Sequence, residues 1–372
     1  MKDLDAMDSM EKMLVQKAYQ RQAPVNGSLE LLPLCNMNCD MCYVRLSKVE
    51  MEQKGRLRTK EEWIRLAHQM KDAGTLFLLL TGGEPLLFPG FKELYIELQN
   101  MGMILTINTN GTLINEEWAD FFAGYKPRRI NITLYGKDEE TYEKLCHDPE
   151  GYRRVRKAME LLKERHVDVK INSSITPKNI HDLDALCRIA EDIGTAWKFD
   201  TYMYPASRER LSSFDQQSRL SPQEAATARV QIMEKKEKEN FLQAAARLLS
   251  FGNVSEGDLT PSPVKCRAGR SSYVINWQGK MRPCIMLTKP EADVFQLGFS
   301  EAWKEITNAV SNIRLNAKCS VCTMRGACQS CAACAFLETG AFDGVPEYMC
   351  QYTKETLRLL RDICEKKEGR NG

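Results

Sequence analysis

The chain has 372 residues, and its 52 Lys and Arg against 50 Asp and Glu leave a formal charge of +2. Near-neutrality argues against a nucleic-acid binder, which carries a marked basic excess. No apolar run approaches the ~18 residues of a membrane-spanning helix. The N-terminus has scattered charges and no apolar signal core, so the chain is expected to work in the cytoplasm, away from membranes.

After an N-terminal helical segment over 1–27, strand-like and helix-like segments alternate. An apolar run at 29–34 ends at a first group of cysteines. Thr59 and Glu62 form a capping box that opens a helix through Trp63, Leu66 and Met70, stopping near Gly74. A buried-strand run at 76–80 leads into Thr81-Gly82-Gly83-Glu84-Pro85. Helix 91–101, strand 104–108, helix 116–122, strand 130–134, helix 152–163, strand 167–173, helix 180–193 and strand 197–202 follow. Such alternation implies parallel strands with right-handed crossovers, in an open sheet or a barrel of about six units.

The pattern changes after residue 205. Ser221 and Glu224 start a long polar helix to about residue 250, whose charge run at 234–239 reads as a solvated face. A Gly-, Ser- and Pro-rich stretch at 251–263 reads as a linker into a second region. There 273–277 and 280–284 flank Gln278-Gly279 as a hairpin, and an amphipathic helix covers 354–364. The division expected is 28–230 for the α/β unit, 231–262 for helix and linker, 263–350 for a cysteine-rich unit and 351–372 for the last helix.

Fourteen cysteines decide the chemistry. A secreted disulfide scaffold is normally shorter and follows a signal sequence. Here the cysteines cluster at short spacing, as thiolate ligands for metal do. Cys35, Cys39 and Cys42 lie in one loop after a strand. Three ligands complete neither a structural zinc site nor a four-iron cluster, so an iron would stay open to a substrate or cofactor. A zinc knuckle borrowing a distant fourth ligand is the alternative. Cys146 and Cys187 stand alone and read as small buried hydrophobes.

Cys35-Asn-Met-Asn-Cys39-Asp-Met-Cys42, followed by Tyr43, resembles the signature of radical S-adenosylmethionine (SAM) enzymes. The resemblance implies a partial (β/α)6 TIM barrel, an open iron chelated by SAM, and a 5′-deoxyadenosyl radical that takes hydrogen from the substrate. Gly82, Gly83, Glu84 and Pro85 resemble the family's GGEP motif, which holds the SAM amino group; on their own, paired glycines after a strand let a ligand approach the backbone. Asn108 and Asn110 resemble its ribose-contacting segment. Thr133, Asn172 and Ser173 are further candidates for the SAM carboxylate and ribose. All lie at C-terminal strand ends, where parallel barrels put their chemistry. Where many relatives carry an arginine that meets the SAM carboxylate, this chain has Cys146.

Cys266, Gly279 and Cys284, then Cys319, Cys322, Cys328, Cys331, Cys334 and finally Cys350, resemble the SPASM extension of the same enzymes. Eight thiolates suffice for two four-iron clusters, or for one full cluster and one with a vacant site; a pair of structural zincs is the alternative. The resemblance implies an outer cluster on Cys319, Cys322, Cys328 and Cys350. The inner one falls to Cys266, Cys284 and one or both of Cys331 and Cys334, because two residues rather than three follow Cys328 and a cysteine is added. The cofactors implied are three [4Fe-4S] clusters and SAM.

Extra clusters beside a carbon radical suit net oxidation. The expected activity is the oxidative crosslinking, by a thioether or carbon–carbon bond, of a ribosomally made peptide, with a low-potential donor of the flavodoxin or ferredoxin type. The roughly 27 residues ahead of the barrel are too few for the winged-helix leader-binding domain of many such maturases. Anaerobic sulfatase maturation, dehydrogenation of a small alcohol, and a non-catalytic zinc scaffold are the alternatives. Asp200 and Asp343 are the candidate general bases.

Overall fold

The protein is described from a computed structural model over residues 9–205, 208–210, 219–251 and 259–368. Its first half contains α1 (Ser9–Arg21), β1 (Asn26–Glu30), α2 (Lys48–Lys54), α3 (Lys60–Asp72), β2 (Phe77–Thr81), α4 (Phe91–Asn100) and β3 (Ile104–Thr109). Next come α5 (Glu116–Gly124), β4 (Arg129–Thr133), α6 (Glu139–Cys146), α7 (Gly151–Glu164), β5 (Val169–Ser174), α8 (Leu183–Ile193) and β6 (Ala196–Asp200). The second half has α9 (Pro222–Glu237), α10 (Phe241–Ser250), β7 (Ser262–Pro263), β8 (Ser272–Ile275), β9 (Lys280–Arg282), β10 (Ala292–Asp293), α11 (Val294–Leu297) and α12 (Phe299–Ser311). β11 (Arg314–Leu315), α13 (Ala317–Ser320), α14 (Ala332–Thr339) and α15 (Glu347–Glu368) close the chain.

β1 to β6 stand in sequence order and pair in parallel, the arrangement of a partial barrel. The expected strands are present within a few residues. β1 begins three residues earlier than its apolar run, because 31–34 leave the sheet to meet the loop after β2, where Gly83 and Glu84 donate backbone N–H groups to Leu32 and Leu34. The capping boxes at Thr59 and Ser221 are both formed. α2 and α6 are short helices outside the expected series, each capped at its N-terminus, by Ser47 and Asp138.

Along β3 to β6 the side chains alternate. Leu105, Ile107, Ile130, Ile132, Val169 and Ile171 are buried and pack into one core with Leu94, Leu98, Phe122, Leu161 and Leu186 of the surrounding helices. The opposite face carries Thr106, Asn108, Asn131, Thr133, Lys170, Asn172 and Lys198, half-buried and in register across the strands. Each apolar side chain on the helix face contributes about 1.5–3 kcal/mol. Burying the polar row in a dry core would cost comparable amounts, so that face lines a cavity.

The sheet does not stop at the boundary expected near 263. β8 pairs in parallel with β1, and β9 and β10 extend the sheet to nine strands through the expected hairpin. Tyr273 of β8 makes the join: its hydroxyl is 2.8 Å from the Thr75 hydroxyl, both buried. Gly27 leaves room for that ring, since a Cβ there would lie 2.5 Å from the phenolic oxygen. The long helix expected from 221 to 250 is broken by a tight turn at Lys238–Asn240, where Lys238 takes φ 49°. α15 begins before the boundary expected at 350, so Cys350 sits on it. It packs beside α9 and α10 around Val230, Phe241 and Leu360, and the Tyr352 hydroxyl reaches Thr201 at 3.0 Å. Among the described residues no helix is long and apolar enough to cross a membrane.

Candidate functional site

The loop after β1 carries Cys35, Cys39 and Cys42. Backbone N–H groups of Met37 and Arg45 point at the sulfurs of Cys35 and Cys42, at 3.4 and 3.3 Å, and the Asn110 amide lies 3.6 Å from the Cys35 sulfur. Such donors stabilise thiolate and tune an iron–sulfur centre. Burial pushes the Cys35 thiol up to about 12, with Glu84, Cys39 and Cys42 adding to the rise. Cys39 is raised first by a hydrogen bond with Cys146 and then by burial, and Cys42 by burial and then Cys39. Iron would displace these protons on binding. Among the described residues no three Cys, His, Asp or Glu side chains close around a single ion. A four-iron cubane needs no such convergence, because each thiolate binds a different iron. Three thiols in one loop, two of them already accepting backbone N–H groups, fit the ligand set of such a cluster.

The loop is held from outside. Asn38 and Asp40 donate backbone N–H groups to the carbonyls of Cys146 and Leu145, at the end of α6. Burial works against the Asp40 carboxylate, but hydrogen bonds from Lys178 and His147 hold it below the usual range. Cys146 is fully buried, as expected, yet it is also a fourth thiol beside the first group.

The glycine motif also has a structural use, beside the SAM contact that the resemblance implies for it. Cβ atoms at Gly82 and Gly83 would lie 2.5 and 2.1 Å from the carbonyl oxygens of Leu32 and Leu34. The close neighbour is the chain leading into the cysteine loop, so these glycines seat that loop on β2. Glu84 is fully buried and accepts from the Thr109 hydroxyl at 2.8 and 2.9 Å, the Asn110 N–H at 2.9 Å and the Leu86 N–H at 3.1 Å. It fastens the end of β3 to the motif. Pro85 follows as the first residue of a short turn of helix.

Of the remaining candidates, Asn108, Thr133 and Asn172 share the polar face of the sheet. Asn131, which sequence reasoning missed, joins them: its side-chain amide donates to the Asn108 side-chain oxygen at 2.7 Å. Ser173 lies on the other face, with Ile171, because neighbouring residues on a strand point opposite ways. Its hydroxyl is buried with no hydrogen-bond partner. The Asn110 side chain is engaged by Asn36 and Thr112 beside Cys35. Tyr43 lies under Arg208, whose guanidinium is 5.0 Å from the ring centre. Asp200 is exposed at the end of β6, 3.0 Å from Lys198, and Asp343 is exposed in a loop whose carbonyl accepts from Asn316. Neither is placed like a buried general base.

The later cysteines form two neighbourhoods. Cys319, Cys322, Cys328 and Cys350 act on one another: burial and then Cys328 raise Cys350, to about 11, with Cys319 and Cys322 contributing. Cys284 is likewise raised to about 11, by burial and by Cys331 and Cys266. Backbone N–H groups point at the sulfurs of Cys284, Cys328 and Cys331. These donors and the two groupings suit clusters.

Residues 29–190 match the Radical SAM superfamily. The chain carries a radical SAM domain. Members of that superfamily are enzymes, and this protein is one. The match ends within α8, so β6 and the cysteines from Cys266 onward lie outside the matched residues. Over 341 residues the chain is 23% identical to the AdoMet-dependent heme synthase of Methanosarcina barkeri, covering 86% of this chain and 94% of that protein. It is 24% identical over 289 residues to the antilisterial bacteriocin subtilosin biosynthesis protein AlbA of Bacillus subtilis, covering 77% of this chain and 60% of that protein. The fold is similar to that of Streptococcus suis SuiB bound to S-adenosylmethionine, with TM-score 0.67 and 17% identity over 92% of this chain and 81% of that chain. A second SuiB structure holds the precursor peptide SuiA, with TM-score 0.65, 17% identity and coverage of 92% of this chain and 80% of that chain.

Within the radical SAM domain, Glu84 gives a pH test. Burial raises its pKa to about 7, against the pull of the Asn110, Leu86 and Thr109 donors. The folded state then holds a proton that the unfolded chain releases above its ordinary value of 4.5. Stability is therefore expected to fall as pH rises from about 4.5 through 7. Urea unfolding should show this slope in the wild type and lose it in Glu84→Gln; an unchanged slope in the variant would assign it elsewhere.

Proposed function

We propose that this chain matures a ribosomally made peptide, leaving a side chain oxidised in a thioether or carbon–carbon crosslink. When bound at Cys35, Cys39 and Cys42, a four-iron cluster with SAM supplies hydrogen-abstracting radical chemistry. Asn108, Asn131, Thr133 and Asn172 line the cavity that would receive nucleotide and substrate. The cysteine loop, seated by Gly82 and Gly83, closes the strand ends around it.

One observation carries the oxidative part of this reading. Tyr202 and Tyr204, just beyond β6, lie 3.2 Å from the Cys334 sulfur and 3.8 Å from that of Cys331. The inner cysteines thus abut the end of the sheet where the chemistry would occur. A crosslink removes a hydrogen atom, an electron and a proton from the peptide, and an acceptor there shortens the electron's path. A low-potential donor, flavodoxin or ferredoxin, would feed the first cluster. The peptide assignment draws on AlbA and on SuiB with SuiA. A second reading, a step of haem synthesis, is favoured by the heme synthase match along most of both chains.

The test is incubation of anaerobically reconstituted enzyme, SAM and reductant with the peptide encoded next to its gene, followed by mass spectrometry. Loss of about two hydrogens per crosslink, about 2 Da, is expected. An unmodified peptide alongside turnover of a haem precursor would replace this proposal with the second reading. Conversion of a Cys or Ser to formylglycine would point to sulfatase maturation instead.

A further inference from the structure

The sulfurs of Cys35 and Cys42 accept backbone N–H groups from their own loop. Cys39 is served differently: its sulfur is hydrogen-bonded with the side chains of Tyr135 and Cys146, which come from other parts of the fold. Cys146 is the last residue of α6 and is fully buried. Its carbonyl and that of Leu145 accept the N–H groups of Asn38 and Asp40 at 3.2 and 3.0 Å. These two bonds bracket Cys39 and fix how closely the end of α6 approaches it. Tyr135 lies two residues beyond β4. Its N–H donates to the Tyr142 hydroxyl at 3.3 Å, and its carbonyl accepts the Asn179 side-chain amide at 2.8 Å. Tyr142 and Asn179 are both fully buried, so the backbone that carries the phenol is anchored on two sides. Burial first, and then Cys39, Cys146, Cys42 and Cys35, push the Tyr135 hydroxyl well above its ordinary range, which places it among all four sulfurs. A phenol in that position keeps its proton and donates it.

We infer that Tyr135 and Cys146 are positioning residues of the first site, whose O–H and S–H both donate to the Cys39 sulfur when iron is bound there and so raise the reduction potential of the cluster. A thiolate on iron has lost its own proton, so in the loaded protein the hydrogen of both bonds comes from Tyr135 and Cys146. Reduction adds one negative charge, shared in part by the ligand sulfurs. Donors to those sulfurs stabilise the reduced state over the oxidised one. An S–H is the weaker donor, so Tyr135 contributes more. The inference rests on a cluster at the first three cysteines, and not on which substrate is modified.

A redox titration of the anaerobically reconstituted full chain tests this without using turnover. It is followed by EPR on the signal that SAM shifts, in wild type, Tyr135→Phe, Cys146→Ala and Cys146→Ser. Tyr135→Phe and Cys146→Ala are expected to keep the iron and sulfide of wild type and to lower the midpoint potential, Tyr135→Phe by more. Cys146→Ser restores a donor of similar size and should stand closer to wild type than Cys146→Ala. Unmoved midpoints in Tyr135→Phe and Cys146→Ala would overturn the inference. Loss of iron in both Cys146 variants would make that thiol a ligand and overturn its part, while Tyr135→Phe, which keeps the ring, still decides the other. Wild type without iron or sulfide would remove the first site itself, and the inference with it.

Discussion

Replacing Cys35, Cys39 and Cys42 together by Ala is expected to abolish SAM cleavage. These thiols sit in the loop that Gly82 and Gly83 seat on β2, and two of them already accept backbone N–H groups. Among the described residues the thiol left beside that loop is Cys146, which is buried against Cys39. Quantification of 5′-deoxyadenosine should fall to background, a loss of at least about a thousandfold, equivalent to about 4 kcal/mol of transition-state stabilisation. The far-UV spectrum should be unchanged, because the six parallel strands pair through their own backbones and pack on the helix core. Sustained 5′-deoxyadenosine production would remove the assignment of the first site.

Loss of Arg208 is expected to have the largest effect on stability. Its guanidinium donates to both oxygens of Glu30 at 2.7 Å and to the Ile285 carbonyl at 2.8 Å, and both charged side chains are almost fully buried. It joins β1, the residue after the first cysteine triplet and the segment beside Cys284. Arg208→Ala leaves Glu30 buried without its partner, at a cost of about 3–5 kcal/mol, a large share of a typical domain's stability. Urea unfolding of Arg208→Ala, Glu30→Ala and the double variant would measure the coupling. The double variant should be less destabilised than the sum of the singles by more than about 1 kcal/mol; strict additivity would mean that the pair does not act as a unit.

These two residues show where sequence reading stops. The six strands are legible because their apolar residues repeat at the right intervals between capped helices. The cysteine loop is legible because its chemistry lies within eight residues. Arg208 and Glu30 are 178 positions apart, and nothing local to either announces a buried pair. Tyr202 and Glu338, 136 apart, are equally silent until the fold brings α14 to the end of β6. Asn131 was within reach: Arg129, Asn131 and Thr133 alternate with Ile130 and Ile132, and an even count along β4 places it beside Asn108. The same count separates Ser173 from Asn172. For Gly82 and Gly83 the motif is legible, whereas the close approach of Leu32 and Leu34 to their backbone is not. The domain boundaries at 263 and 350 were drawn on composition, which does not reveal that β8 joins the sheet or that α15 is continuous through Cys350.

The central claim is that the first three cysteines hold an iron–sulfur cluster with one iron open to SAM. EPR of the reduced, anaerobic protein before and after addition of SAM tests it most directly. A cluster signal that changes shape and g-values on addition, and does so in a Cys331→Ala variant as well, is the result expected. A protein without iron or sulfide, or a signal indifferent to SAM, would contradict it.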